Sequence, residues 1–279
     1  MRQLIAMVCV LIAVVAALIT VPMAWVATHV ADEDGYVSFS KPLGSDRELQ
    51  RAFSAYLSDQ LVTEYHLPAA VRPQVSAALT VAARTASNAP GYTQAWEETQ
   101  RRSHRLVFGP DARQDRLAID VGPLATFAIN HVGTALPVTL PTLDGGLVVA
   151  VNGTSETGAI KAVKDTPDRS RVGLIVIAVA ALGALVFARR RSIALVWLGV
   201  GAVVVAGILR LVSSHLAPSI LNHTPAPSSF ARTLQKLLAD RAADSLGSWL
   251  LWIAIGGGVA IAVGVVLRVV SGGAAKVQA

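Results

Sequence analysis

Four apolar stretches, each about as long as a bilayer-spanning helix, constrain this chain more than anything else in it. They run from Leu4 to Ala27, Val172 to Ala188, Ile193 to Val212 and Trp249 to Leu267. A helix rises about 1.5 Å per residue, and crossing a hydrocarbon core takes about 20 apolar residues. The second stretch is the shortest, yet Arg171 and Arg189 bracket it with no charge between them. Trp25, Trp249 and Trp252 lie near the ends, where indoles favour the headgroup zone. Composition agrees: 53% of the residues are hydrophobic, and the 15% that are charged sit in blocks between the apolar runs.

Arg2 followed by an apolar run also opens like a secretory signal. The run outlasts the apolar core of about 7–15 residues that such signals carry, and no small-x-small cleavage site follows, so it reads as a span. The single cysteine, Cys9, lies inside this run, which excludes an intramolecular disulfide and a cysteine zinc site. More apolar sequence follows it, against a lipoprotein anchor. The net charge of +6 is weak evidence for nucleic acid: 19 of the 24 basic residues are Arg, in a chain rich in Ala, Val and Gly, as a GC-rich bacterial genome encodes.

Orientation follows from the turn Ala188 to Ser192, where three arginines in a short loop signal the cytoplasmic side. Alternation then gives a map. Residues 1–28 form the first span, 29–171 an extracytoplasmic domain, and 172–212 the second and third spans around the Arg turn. Residues 213–248 form an extracytoplasmic loop with an amphipathic helix, and 249–279 the fourth span with a cytoplasmic tail. Lys161, Lys164, Arg169 and Arg171 run against this, but they end a long loop, where the charge rule weakens. The expectation is an α-helical membrane protein with four transmembrane helices and a small extracytoplasmic α/β (α+β) domain, in a bacterial plasma membrane with both termini cytoplasmic.

The large region is long enough to bury a core of its own. Ser45, Asp46 and Glu48 offer a helix cap, and Leu49, Phe53, Leu57 and Leu61 recur every four residues, predicting a helix to about Tyr65. Leu67 to Ser87 and Tyr92 to Phe108 give two more, the last ended by Gly109-Pro110. Strand signals follow at Leu117 to Val121, Pro137 to Leu140 and Leu147 to Val151, with a helix from Leu124 to Val132 joining the first two. In the second loop, Pro218, Pro225 and Pro227 predict an irregular start. Phe230, Leu234, Leu237, Leu238 and Leu246 then form one helical stripe, read as packing on the neighbouring domain and either continuing into the fourth span or lying along the surface.

Certain segments resemble a family of uncharacterised actinobacterial integral membrane proteins with one span, an external domain and three further spans. They are Gly35-Tyr-Val to Pro42-Leu with Asp46 to Gln50, Trp96 and His104 eight apart, Ala118 to Leu124, and the Arg-rich turn before a glycine-containing third span. The resemblance covers most of the chain. It implies location and architecture, with no activity or ligand.

The chemistry-bearing residues are few. All six histidines, His29, His66, His104, His131, His215 and His223, fall outside in this topology, yet no pair has HxH or HExxH spacing and nearly all non-membrane sequence is outside as well. Trp96 and His104 share a helix face and read as a packed Trp beside a polar partner. Asp120, in an apolar strand before Gly122-Pro123, reads as a turn cap rather than an acid or base. No G-x-S-x-G occurs, and Gly256 to Gly258 lies within a span, where small residues let helices approach. Arg210 is the one charge inside a span, near its outer end, where it snorkels to the headgroups or pairs with an external acid. The scarcity of buried charge argues against a transporter or proton relay.

No catalytic, cofactor-binding or metal-binding residue is assigned, and no cofactor is expected. The expected partners are the lipid bilayer and other membrane or envelope proteins, with no nucleic acid. The leading reading is a non-enzymatic envelope interaction or scaffold protein. A permease-like subunit of a transport or envelope complex shares the layout, and a membrane-tethered hydrolase would need Asp120, His104 or other polar groups to converge in a pocket.

Overall fold

The structure is a computed structural model describing residues 1–64, 73–74, 77, 81, 85, 89–110, 112, 117–133, 147–151, 157–223 and 225–274. The chain divides into two compact units: residues 1–27, 165–219 and 242–279 form the first, and 28–164 with 220–241 the second.

The first unit is built from four helices: α1 (Arg2–Val26), α7 (Thr166–Phe187), α8 (Arg191–His223) and the second half of α9 (Ser229–Ala274). All four are long and apolar enough to cross a membrane, as expected from the apolar runs. Large apolar side chains such as Leu11, Val179, Leu211 and Val263 face outward, so this unit turns its hydrophobic residues to its surroundings. Small residues sit where helices touch. Gly173 of α7 meets Thr20 of α1, and Gly183 meets Cys9, so the two helices run antiparallel in close contact. On the other seam the backbones of Gly199 in α8 and Gly257 in α9 approach so closely that a Cβ on either would strike the other's carbonyl oxygen. Gly256 and Gly258 face open space, so of the glycine triplet only the middle residue is an interface.

Three expectations for these helices become more specific. The Trp25 ring, expected near a helix end, is buried within the protein, and its Nε1–H donates to Ser245 Oγ at 3.2 Å. The irregular stretch expected from residue 213 is helical as far as His223, where α8 runs past Pro218, and is irregular at 225–228 around Pro225 and Pro227. A proline removes one helical hydrogen bond, and the long helix on its N-terminal side tolerates that loss. Ser229 to Ala274 is one continuous helix of 46 residues, which settles the open choice in favour of continuation into the fourth span.

A π-helical turn, Ala27–Ala31, leads from α1 into the second unit, followed by α2 (Glu33–Ser40) and a 3-10 turn, Lys41–Ser45. Asp32 starts α2 by accepting from Gly35 N at 2.8 Å. Helix α3 (Arg47–Glu64) is capped by Asp46, whose Oδ1 accepts from the Glu48 and Leu49 amides at 2.8 and 3.0 Å. Further elements among the described residues are α4 (Tyr92–Phe108), β1 (Ala118–Asp120), α5 (Gly122–Gly133), β2 (Val148–Ala150), α6 (Thr157–Lys164) and the start of α9. The strands pair antiparallel with Ile119 opposite Val149. Hydrogen bonds from Val121 N to Leu147 O and from Val151 N to Leu117 O extend the ladder at both ends.

Over the described residues this unit is mainly helical, and the α/β (α+β) character expected from the sequence is present only as one two-stranded ladder. The predicted strand Pro137 to Leu140 lies outside the described residues, as does most of the predicted helix Leu67 to Ser87. The first strand is cut short because Gly122-Pro123 opens α5 at once. The core gathers Leu49, Phe53 and Leu57 of α3, Trp96 of α4, Ile119 and Val121 at β1, and Leu124 of α5. Phe230 and Leu234 of α9 complete it, with the Phe230 ring 5.7 Å from Phe53 and 5.6 Å from Tyr56. The stripe read from the second loop is therefore a core face.

Candidate functional site

Helix α4 organises the polar residues that the sequence singled out. Residues four apart share a face, and Tyr92, Trp96, Gln100, His104 and Phe108 form one row directed at α2 and the 3-10 turn. Tyr92 Oη donates to Gly44 O at 2.8 Å, and Trp96 Nε1–H to Ser40 O at 3.1 Å. The His104 Nε2 lies 3.1 Å from Val30 O; a carbonyl only accepts, so Nε2 carries the proton. The His104 ring packs between Tyr36 and Phe108, with centroids 5.5 and 5.2 Å away. Burial pushes the Tyr36 phenol up to about 12, and it does the same to Tyr92, against the opposing effect of its hydrogen bond to Gln50.

The adjacent row, Thr99, Ser103 and Val107, faces β1 and α5. Ser103 Oγ donates to Thr99 O and accepts from Asp120 N at 2.9 Å. Thr99 Oγ1 accepts from Leu124 N at 3.2 Å, and Asp120 Oδ1 from Gly122 N at 3.0 Å. Asp120 is thus a turn cap, as expected, and its backbone hangs on the Thr99–Ser103 row. Trp96 and His104 share the other row, each bonded to a different backbone carbonyl and not to one another. His104 and Asp120 are engaged in separate places rather than converging.

Sequence reasoning missed three parts of this arrangement. Thr99 and Ser103 are buried and supply the hydrogen bonds at the edge of β1. Gln100 is 1% exposed, and among the described residues its Nε2 has no hydrogen-bond partner. The third part is a surface ion cluster linking α2 to α4. Glu33 takes a bidentate bond from Arg105, 2.9 Å to Nε and 2.7 Å to Nη2, while Arg101 approaches it at 3.3 Å. The Arg105 hydrogen bond holds the Glu33 carboxyl below its ordinary range and, reciprocally, raises the guanidinium. The four-residue repeat of α4 was the available signal for Thr99, Ser103 and Gln100. Nothing local could announce partners as distant in sequence as Glu33 and Arg105.

The remaining candidates are scattered. His29 accepts or donates to Thr28 Oγ1 at 2.8 Å and meets Phe39 edge-on, His131 stacks on Phe127, and His215 Nδ1 turns back to Leu211 O at 2.8 Å. His66 and the His223 side chain lie outside the described residues. Among the described residues no three His, Cys, Asp or Glu side chains group as metal ligands. Arg210 makes no ion pair among them; its guanidinium lies against Gly247 of α9, where a Cβ would collide with it.

Four helices long and apolar enough to cross a membrane define a helical protein compatible with multi-pass residence in a membrane. No protein-family model, curated protein or solved structure matches the chain.

Proposed function

We propose that this is a multi-pass protein of a bacterial cell envelope whose second unit is displayed outside the cytoplasm and acts by binding other membrane or envelope proteins. The carrying observation is how its polar side chains are spent. Trp96, His104, Ser103, Thr99 and Asp120 each bond to a backbone group of the same unit, which is structural work. The charged residues stay at the surface as Glu33, Arg101, Arg105 and the i,i+4 pair Glu98–Arg102. Exposed mixed charge of this kind serves orientation and partner choice more than affinity. The Arg189 to Arg191 turn supports the orientation by the positive-inside rule, and the resemblance to actinobacterial four-span proteins agrees with it.

The test is crosslinking in intact cells from photoreactive residues at Arg102 and His131, both exposed, followed by mass spectrometry of the adducts. A reproducible protein adduct is expected; adducts with lipid, glycan or the protein itself alone would overturn the reading. Orientation is tested separately by an Arg190→Cys variant, which should resist a membrane-impermeant maleimide until the membrane is opened.

A further inference from the structure

The first unit carries a groove whose two ends differ in chemistry. It lies between α1 and α7 and is an open surface groove of about 460 Å³. Its walls are Ile19 and Met23 of α1 and Val172 and Val176 of α7; Ala16 lines it too, and Thr20 meets Gly173 where the two helices touch. At one end the lining changes to Asp168 and Arg169. The helices run antiparallel, so the groove follows both from the interior of the span, at Ala16 and Val176, to the point where α7 becomes polar. A rise of about 1.5 Å per residue makes that path about 10–12 Å long, the depth over which a lipid chain leaves its headgroup.

We propose that this groove binds one acyl chain of a zwitterionic phospholipid of the phosphatidylethanolamine type, with its headgroup on the charged end. The apolar walls face the hydrocarbon region, where the commonest apolar occupant is a lipid tail. Charge complementarity selects the headgroup. The charged lining is one anion, Asp168, and one cation, Arg169, whose formal charges sum to zero; outside the lining, Asp165 pairs with Arg169 at 3.0 Å and Arg171 stands 3.7 Å from Asp168. A phosphate finds guanidinium donors there and a primary ammonium finds a carboxylate, both in charge-assisted hydrogen bonds. An anionic headgroup such as phosphatidylglycerol brings only neutral hydroxyl donors and no cation to the Asp168 carboxylate. The proposal does not depend on the interaction reading of the second unit.

The test places the full chain in nanodiscs of equal parts phosphatidylethanolamine and phosphatidylglycerol, ejects it, and identifies the retained lipid by native mass spectrometry. Retention of one phosphatidylethanolamine is expected, with preference over phosphatidylglycerol of about fivefold, the size of one modest polar contact. Asp168→Asn and Arg169→Gln together should bring the ratio to that of the bulk lipid. Val176→Trp fills the groove and should abolish retention. Because Val176 is 40% exposed, this variant leaves the α1–α7 contact through Gly173 intact, and an unchanged unfolding temperature verifies that. Retained lipid that mirrors the bulk in the unaltered protein, preferential retention of phosphatidylglycerol, or retention undiminished in Val176→Trp would each overturn the proposal.

Discussion

The indole of Trp96 covers Gly44: a Cβ built on that glycine would stand 2.8 Å from two atoms of the ring, while the indole Nε1–H donates to Ser40 O at 3.1 Å. Helix α4 is thereby bolted to the turn after α2 by one side chain that needs both an acceptor and an absent methyl. Gly44→Ala should destabilise the second unit by about 1–3 kcal/mol through overpacking. Trp96→Phe should cost a similar amount, by leaving a buried carbonyl short of its donor and a void beside it. Thermal unfolding of the detergent-solubilised chain would measure both, and an unshifted transition for either would show the contact to be dispensable.

Phe230 is 1% exposed and sits between Phe53 and Tyr56, although 177 and 174 residues separate them in sequence. Phe230→Ala is expected to cost about 3–5 kcal/mol, the usual range for a buried phenylalanine. Limited proteolysis should then cut within residues 28–164 far faster than in the unaltered protein. Equal rates would mean that the start of α9 is not part of that core.

Alkaline pH should loosen the second unit through two tyrosines. Tyr36 and Tyr92 titrate near about 12 in the folded protein against 10.0 normally, so the folded state holds these protons more tightly than the unfolded one. The sign follows: this contribution to stability is whole below pH 10 and is lost as pH rises through about 12, at up to about 1.4 kcal/mol per pH unit for each group. Tyr92 also loses the proton it donates to Gly44 O. Tyr36→Phe and Tyr92→Phe should each flatten the decline, as followed by phenolate absorbance alongside circular dichroism. A decline of unchanged steepness in both variants would remove the tyrosines as its cause.

In the first unit, Gly257→Leu should separate α8 from α9, because its Cβ would lie 2.7 Å from Gly199 O. Gly258→Leu should be nearly silent, since nothing lies within 4 Å of a Cβ there. Without a strong hydrophobic drive between helices in lipid, close packing at small residues carries the association, so a loss of about 1–3 kcal/mol is expected for the first and little for its neighbour. Comparing their unfolding temperatures in detergent checks this, and equal effects would contradict the seam.

Local signals were legible wherever a segment decides its own structure. Four apolar runs became four helices, α4 runs from Tyr92 to Phe108 as its pattern predicted, Asp46 caps α3, and Asp120 caps the turn before α5. Helix ends were less legible. Pro218 suggested a break that α8 passes through, and the Gly247-Ser248 junction leaves α9 uninterrupted. A local breaker costs one or two hydrogen bonds, which a long helix held by its neighbours can absorb.

Periodicity and charge spacing act between residues a few positions apart, and that range suffices to specify spans, caps and amphipathic faces. Which faces meet is a matter of long-range packing. The Glu33–Arg105 pair, the burial of Thr99 and Ser103 beneath β1, Phe230 in a core built from residues far behind it, and the groove between α1 and α7 exist only once distant helices come together. The physical reason is that burial and charge pairing depend on distance in space, and folding sets that distance between segments whose own sequences carry no record of each other.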